Sequence, residues 1–174
     1  MTLRCRRDIR GFTIVELVVV MAIIAILLGI ATLYFSQMVV KNGIESQTRQ
    51  LLTDLQTARA QALFSKRPTT MTFQPASYKF RQYSSVYETV SSGTTVTSTT
   101  VKRQMSLVSG DALSGTLVLF DAQGVAEKSS GEVLDTPITI RVNPTGSGAV
   151  YDCVIIDSAR STIGGMANGS CVPK

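Results

Sequence analysis

Gly11-Phe12-Thr13-Ile14-Val15-Glu16 leads directly into Leu17–Val40, a stretch of 24 residues without a charged side chain. The core of a bilayer is about 30 Å thick and needs roughly 20 apolar residues in a helix, so this stretch is long enough to span a membrane. One carboxylate, that of Glu16, stands at its start. The sequence therefore predicts a single membrane-spanning helix with an ionisable group at one end.

The residues before Gly11 are basic, with four arginines and one aspartate that give a net charge of +3. The residues just after Val40 are mixed in sign, so the positive-inside rule keeps the N-terminus in the cytoplasm and places everything after Val40 on the other side. A secretory signal has its cleavage site after its apolar core. Here the candidate site, Gly11/Phe12, precedes the core, so that cleavage would leave the anchor on the protein. The alternative is an uncleaved anchor with a single span.

This junction strongly resembles that of the type IV prepilin superfamily. The resemblance implies that prepilin peptidase cuts between Gly11 and Phe12 and that the new amine of Phe12 is methylated. It also implies that Glu16 meets this amine on a neighbouring subunit as the helices bundle in a filament. The alternative for Glu16 is a position close enough to the membrane interface to stay hydrated, since a carboxylate at bilayer depth costs a few kcal/mol.

The same resemblance implies where the chain resides and what it contacts. We expect a single-pass protein of the bacterial inner membrane with a periplasmic C-terminal domain, which later enters a pilus or pseudopilus fibre. Its expected partners are prepilin peptidase and other pilin or pseudopilin subunits.

Beyond Val40 the helical pattern continues. Apolar residues recur on one face from Ile44 to Leu63, at Ile44, Leu51, Leu52, Leu55, Ala58, Ala62 and Leu63. Pro68 disfavours helical geometry in the residue before it, so we expect the helix to end near Lys66-Arg67. We therefore divide the N-terminal region into a cleaved leader (residues 1–11), a transmembrane and assembly half (12–40) and an amphipathic half (41–68).

After Pro68 the composition changes to strand-forming residues separated by Gly, Pro, Asn and Asp. The predicted strands are Met71–Gln74, Tyr78–Tyr83, Val101–Leu107, Thr116–Phe120, Ile138–Val142 and Asp152–Ile156. The expected fold class is α+β, the pilin fold: a long N-terminal helix, transmembrane in its first half, packed against an antiparallel β domain of residues 69–174. We expect two small sheets in that domain.

Residues 84–100 contain 11 serines and threonines in 17 positions. This stretch is interpreted as a mobile hairpin tip or a polar edge strand, with a glycosylated or adhesive loop as the functional alternative. Asn168-Gly169-Ser170 matches a glycosylation sequon, but we predict a turn there.

Two cysteines, Cys153 and Cys171, remain once Cys5 leaves with the leader. Thiols oxidise outside the cytoplasm, so we predict a disulfide that closes a loop near the C-terminus and contributes about 3 kcal/mol. The alternative is two free, buried cysteines. A metal site lacks enough ligands nearby, and we expect no metal and no other cofactor.

The β domain carries a second resemblance. The motifs are Phe120-Asp121-Ala122-Gln123-Gly124, Ile138-Thr139-Ile140 and the run from Cys153 to Arg160, and together they are similar to the GspH/FimT family of minor pilins and pseudopilins. This resemblance implies a structural subunit of a type IV pilus or a type II secretion pseudopilus. Read without it, Phe120 and Gly124 are a core aromatic residue and a turn glycine.

Some members of that family bind DNA through a Gly-Arg-x-Arg stretch in the final loop, which makes a DNA-binding minor pilin the alternative function. The corresponding segment here is Ala159-Arg160-Ser161-Thr162, so Arg160 is the only candidate DNA contact. Phosphate binding needs clustered Lys or Arg. Residues 69–174 carry eight basic and eight acidic side chains, which ranks DNA binding below the structural role.

An enzyme ranks lower still. The chain has no histidine, and it shows no carboxylate pair, serine with a lysine base or reactive cysteine at a recognisable spacing. We therefore expect no catalytic residues.

Overall fold

The computed structural model describes residues 12–83, 93–144 and 146–174, with side chains for all of these except residues 31–34. The predicted leader with Gly11, and the first part of the Ser/Thr-rich stretch, residues 84–92, lie outside the described residues. The chain divides between Val39 and Val40 into two compact units. We call residues 12–39 the apolar unit and Val40–Lys174 the globular unit.

One long helix, α1 (Ile14–Ser65), contributes residues to both units. Directly after it, Lys66 adopts a φ of 54°, the left-handed conformation with which many helices end. Pro68 follows two residues later and cannot continue a helix. The predicted end of the helix near Lys66-Arg67 is confirmed.

Ten strands follow the helix in the described residues. They are β1 (Thr69–Gln74), β2 (Ser77–Gln82), β3 (Thr94–Thr100), β4 (Met105–Leu107), β5 (Thr116–Phe120), β6 (Ala126–Glu127), β7 (Ile138–Val142), β8 (Cys153–Ile156), β9 (Ser161–Ala167) and β10 (Ser170–Pro173).

The strands form two antiparallel sheets of five strands each. The first sheet has the order β3-β2-β1-β5-β6, and the second has the order β10-β9-β8-β7-β4. In the first sheet Met71 lies between Phe80 of β2 and Val118 of β5; in the second, Ile140 lies opposite Val154. The predicted α+β class and the two small antiparallel sheets are confirmed.

The core of the globular unit lies between the second half of α1 and the two sheets. Five residues of the predicted apolar helix face are fully buried: Ile44, Leu51, Leu55, Ala58 and Ala62. They join one cluster with Phe73 and Phe120 of the first sheet and with Ile140 and Ile156 of the second. Phe120 is therefore a core aromatic residue, as its sequence context predicts.

The prediction of a strand at Val101–Leu107 is wrong in its first part, because only Met105–Leu107 forms a strand. The backbone N–H groups of Val101 and Met105 donate to the carbonyls of Ala76 (2.9 Å) and Pro75 (2.7 Å), in the turn between β1 and β2. This segment connects β3 in the first sheet to β4 in the second. Its backbone therefore bonds to the β1–β2 turn instead of pairing along its whole length with a neighbouring strand.

Four strands, β3, β6, β9 and β10, are additional to those predicted. β3 is the outermost strand of its sheet and consists of Thr, Ser and one Val, so the edge-strand interpretation is correct for residues 94–100. β9 and β10 form a hairpin through Asn168 (φ 51°) and Gly169 (φ 82°). The predicted turn at Asn168-Gly169 is confirmed, with the positive φ values that two-residue hairpin loops require.

Candidate functional site

Thr13 caps the N-terminus of α1. Its Oγ1 accepts the backbone N–H of Glu16 at 3.2 Å, and its carbonyl accepts the N–H of Leu17 at 3.2 Å. Thr13 is therefore the N-cap residue, and Glu16 occupies the third helical position of a Thr-x-x-Glu sequence. Sequence reasoning missed this cap, although the capping-box pattern is present in the sequence.

Glu16 lies in the first turn of α1, where the aligned peptide dipoles favour a negative charge. Its side chain is exposed. Within the described part of the chain no Lys or Arg forms an ion pair with it. A carboxylate in this position is available to a cation from another molecule.

The surface of the apolar unit consists mainly of large apolar side chains. Phe12 is 78% exposed, and exposed Val, Ile, Leu and Met residues follow it from Ile14 to Val39. A helix that is apolar on all sides belongs in lipid or among other helices. By length and composition, α1 is a helix that could cross a membrane.

A disulfide joins Cys153 of β8 to Cys171 of β10, as predicted. The two strands are not neighbours, because β9 lies between them. Their Cα atoms are 6.1 Å apart, within the usual range for a disulfide. The bond therefore fastens the edge strand β10 to the buried strand β8 across β9.

Gly164 of β9 makes this crossing possible. It pairs with Cys153 on one side and with Pro173 on the other. A Cβ atom at Gly164 would lie 2.8 Å from Cys171 Sγ and 2.5 Å from the carbonyl oxygen of Val172. Only a residue without a side chain leaves room for the disulfide here.

Arg160 is exposed on the turn between β8 and β9. The carbonyl of Arg160 accepts the N–H of Asp157 at 2.9 Å, and the Asp157 carboxylate accepts the N–H of Ser158 at 2.7 Å. Arg59 of α1 donates a hydrogen bond to the carbonyl of Ala159. Two guanidinium groups therefore lie close to this turn, with one carboxylate beside them.

Thr162 and Lys174 add no further cation to this turn. Thr162 lies in β9, opposite Ile155. Lys174 Nζ lies 3.3 Å from the carbonyl oxygen of Val150 and donates to it. In the described residues, no group of three or more His, Cys, Asp or Glu is placed to hold a metal ion.

A polar network between α1 and β2 also escaped sequence reasoning. Tyr78 Oη donates to Asp54 Oδ2 at 2.5 Å, and Gln50 Nε2 donates to Asp54 Oδ1 at 2.8 Å. Burial and the adjacent Asp54 carboxylate raise the pKa of Tyr78 well above its ordinary value. At neutral pH the phenol is therefore protonated and donates to Asp54. Gln50 and Asp54 are four residues apart on α1, but nothing in the sequence alone identifies Tyr78 as their partner.

Two family models match the chain. The model for the prokaryotic N-terminal methylation motif matches residues 6–32, which include Gly11, Phe12 and Glu16. The model for type II transport protein GspH matches residues 47–159 and ends just before Arg160. No curated protein and no solved structure matches the chain.

Proposed function

The chain belongs to the GspH family of minor pilins and pseudopilins of type IV pili and type II secretion, and we propose that it is cut between Gly11 and Phe12 and assembled into a fibre through α1. The proposal includes methylation of the new Phe12 amine. It also assigns Glu16 to pair with that amine on a neighbouring subunit. The family is one of structural subunits, in keeping with the absence of a catalytic constellation from the sequence.

One observation carries this proposal: in the described residues, the apolar unit combines an exposed apolar surface with a single carboxylate in its first helical turn. The apolar surface has to be covered by lipid or by other helices. In such surroundings the Glu16 carboxylate needs a cation, because an unpaired charge there is costly. The amine of a processed Phe12 on an adjoining helix has the required charge and lies at the same end of its own helix.

The charge pattern supports a direction of insertion. The leader has a net charge of +3 and the first residues after Val40 are mixed in sign. By the positive-inside rule the leader stays in the cytoplasm and the globular unit lies in the periplasm. Prepilin peptidase, the inner membrane and other pilin-type subunits are then the partners that the chain meets in turn.

Replacement of Glu16 by Ala tests the assembly step. Glu16→Ala should leave membrane insertion intact and abolish incorporation into fibres, because the unit stays apolar but loses its only charged side chain. Gln37→Ala is the matched control, since it removes another exposed polar side chain of α1 that carries no charge. Membrane fractionation and immunodetection in sheared fibres measure the two steps. Normal incorporation of the Glu16→Ala variant would contradict the pairing.

The geometry of the turn at Arg160 favours one second candidate function, binding of DNA by a minor pilin. The Arg59 guanidinium reaches the carbonyl of Ala159 and so adds a second cation beside Arg160. Asp157 lies in the same turn, however, and Thr162 stands where the DNA-binding stretch has its second arginine. We therefore rank this function second.

A gel shift with the purified full chain in detergent, at low and at physiological salt, tests the second function. Binding through phosphates weakens steeply with salt. Tight, salt-dependent binding that is lost in Arg160→Ala and kept in Lys79→Ala, which changes an exposed lysine of β2, would place DNA binding first. Lack of binding at low salt would remove this function.

A further inference from the structure

A small cavity lies between the second half of α1 and the first sheet. It has a volume of about 50 Å³ and is lined by Asp54 and Thr57 of α1, Tyr78 and Phe80 of β2, and Thr97 and Thr99 of β3. Tyr78 lies opposite Thr99 and Phe80 lies opposite Thr97, so the sheet provides two aromatic–threonine pairs side by side. A water-sized group needs about 10–15 Å³ by this measure, so the cavity has room for roughly three or four such groups.

Two of the hydroxyl groups around the cavity already donate their hydrogens to other atoms. Thr57 donates its hydroxyl hydrogen to the carbonyl of Thr53 at 2.8 Å. Tyr78 donates to Asp54 at 2.5 Å. The Thr57 oxygen therefore offers lone pairs to a bound group, and the hydroxyl oxygen of Thr99, which also lines the cavity, is able to accept as well.

Asp54 adds a negative charge to these acceptors. Its oxygens accept hydrogen bonds from Gln50 and Tyr78, which are neutral groups. Among the residues that the structure describes, no Lys or Arg forms an ion pair with Asp54. Each oxygen of a carboxylate has two lone pairs, so each retains one for a further donor. The aromatic ring of Phe80 also lines the cavity, and aromatic rings attract cations placed over their faces.

We propose that this cavity takes the ammonium group of a lysine side chain from a neighbouring pilin-type subunit. An ammonium group has three donors and no acceptor, which complements a carboxylate and two acceptor hydroxyls approached from the helix and the sheet. A guanidinium is a planar fork and suits a single flat carboxylate better. The partner rests on the proposed function, because a fibre is what brings a second subunit to this face; the ammonium chemistry rests on the cavity alone.

The chemistry is tested first on the full chain in detergent micelles, with aspartate carboxyl carbons labelled for NMR. Titration with n-propylammonium chloride should shift the Asp54 signal saturably, and n-propanol, which has a similar shape without the charge, should not. With threonine methyl groups labelled as well, Asp54→Asn should weaken the response of the cavity residues Thr97 and Thr99 at least tenfold. Asp111→Asn, a change at an exposed aspartate, is the matched control. An equal response to propanol, or no response to either compound, would overturn the site.

Asp54→Asn also alters the hydrogen bond with Tyr78, so a loss of propylammonium binding in this variant could come from misfolding. A second variant separates the two causes. Thr57→Val removes one acceptor oxygen and keeps the charge, the shape and the Tyr78 bond. It should weaken propylammonium binding severalfold without changing thermal unfolding. Unchanged affinity in Thr57→Val would contradict the acceptor arrangement that we describe.

The partner is tested in assembled fibres with a carbodiimide, which joins a carboxylate and an amine that touch. We expect an Asp54–lysine cross-link between two subunits, identified by mass spectrometry and absent from Asp54→Asn fibres. Fibres that contain the chain but show no such cross-link would overturn the lysine partner. A chain that never enters fibres would instead contradict the proposed function, while the micelle titration would still decide whether the cavity binds ammonium.

Discussion

Gly124 lies directly against Leu63: a Cβ atom at Gly124 would be 2.9 Å from Leu63 Cγ. Gly124 ends a turn in which Asp121 Oδ1 accepts the N–H groups of Gln123 (2.9 Å) and Val125 (2.7 Å). It also has a φ of 76°, which side-chain-bearing residues rarely adopt. The glycine of the Phe120–Gly124 motif is thus a turn glycine, as expected, and also the residue that lets the turn approach the end of α1.

Gly124→Ala should lower the unfolding free energy of the globular unit by about 2–4 kcal/mol, from backbone strain and overpacking together. Gly131→Ala is the matched control, because Gly131 has a φ of 79° and open space around its Cβ position. The control should lose only the strain contribution, about 1 kcal/mol. Chemical denaturation of the micelle-solubilised chain, followed by circular dichroism, measures both.

Leu63→Ala in the Gly124→Ala background separates the two contributions. The double variant should recover part of the loss, because the smaller side chain leaves room for the new Cβ atom. If Gly124→Ala and Gly131→Ala are equally destabilised, the contact with Leu63 has no energetic role.

Gly164→Ala should destabilise the globular unit and hinder formation of the Cys153–Cys171 disulfide. The added Cβ meets the backbone of Val172 and the sulfur of Cys171, neither of which can move freely. We expect a loss of about 2–4 kcal/mol and free thiol in a thiol-specific labelling assay. Gly43→Ala is the control, because its Cβ would meet only the flexible Arg103 side chain, 3.1 Å from Nε. Full oxidation and unchanged stability in Gly164→Ala would show that β9 tolerates a side chain under the disulfide.

Gln47→Leu should cost about 1–2 kcal/mol of unfolding free energy. Gln47 donates to the Arg103 carbonyl at 2.7 Å and accepts the Arg103 N–H at 3.0 Å, so one side chain satisfies both backbone groups of that residue. The segment between β3 and β4 depends on this contact with α1. Gln56→Leu, at an exposed position on the same helix, should change stability by less than about 0.5 kcal/mol. Equal effects of the two changes would show that the Arg103 contact is dispensable.

The stability of the globular unit should fall as the pH rises above about 10, the ordinary pKa of tyrosine. The folded state raises the pKa of Tyr78, chiefly by burial and then by its bond to Asp54. Above pH 10 the unfolded chain loses this proton while the folded chain keeps it, so the unfolded state is favoured. The contribution is fully present below pH 10 and is lost as the pH rises toward the folded pKa.

Unfolding free energies measured from pH 8 upward in wild type, Tyr78→Phe and Tyr151→Phe test this. Tyr78→Phe should flatten the alkaline decline, whereas Tyr151→Phe should leave it unchanged. An equally steep decline in Tyr78→Phe would assign the pH dependence to other groups.

The sequence predicted the long helix well because its two signals are strong and local. The uncharged run and the one-faced pattern from Ile44 onward each persist over many residues, and Pro68 marks the end. The Cys153–Cys171 disulfide could be predicted because only two cysteines remain after the leader is removed and thiols oxidise outside the cytoplasm. Strands with several consecutive apolar residues, such as Thr116–Phe120, were placed correctly for the same reason.

The β9–β10 hairpin was missed because Gly164 and Gly165 look like turn residues in the sequence. In the fold both glycines lie within β9. Glycine is needed at these two positions because a Cβ at Gly165 would be 2.6 Å from the carbonyl of Val150, and a Cβ at Gly164 would meet the disulfide. The Asn168-Gly169 pair was the available hairpin signal. β3 was ambiguous because polar residues at a sheet edge carry no alternation of apolar and polar side chains.

Contacts that join distant parts of the chain could not be predicted from a single sequence. Asp54 and Tyr78 are 24 residues apart, and Gln47 and Arg103 are 56 apart. Nothing local in either sequence window specifies its partner. The cavity at Asp54 could not be predicted for the same reason, because it is formed by the packing of α1 against β2 and β3.

Cleavage and methylation are decided by the mass of the mature protein, purified from native membranes or fibres. We expect a chain that begins at Phe12, lacks residues 1–11 and carries the mass of one added methyl group on the Phe12 amine. An intact chain that begins at Met1, found as a monomer in the membrane, would contradict it.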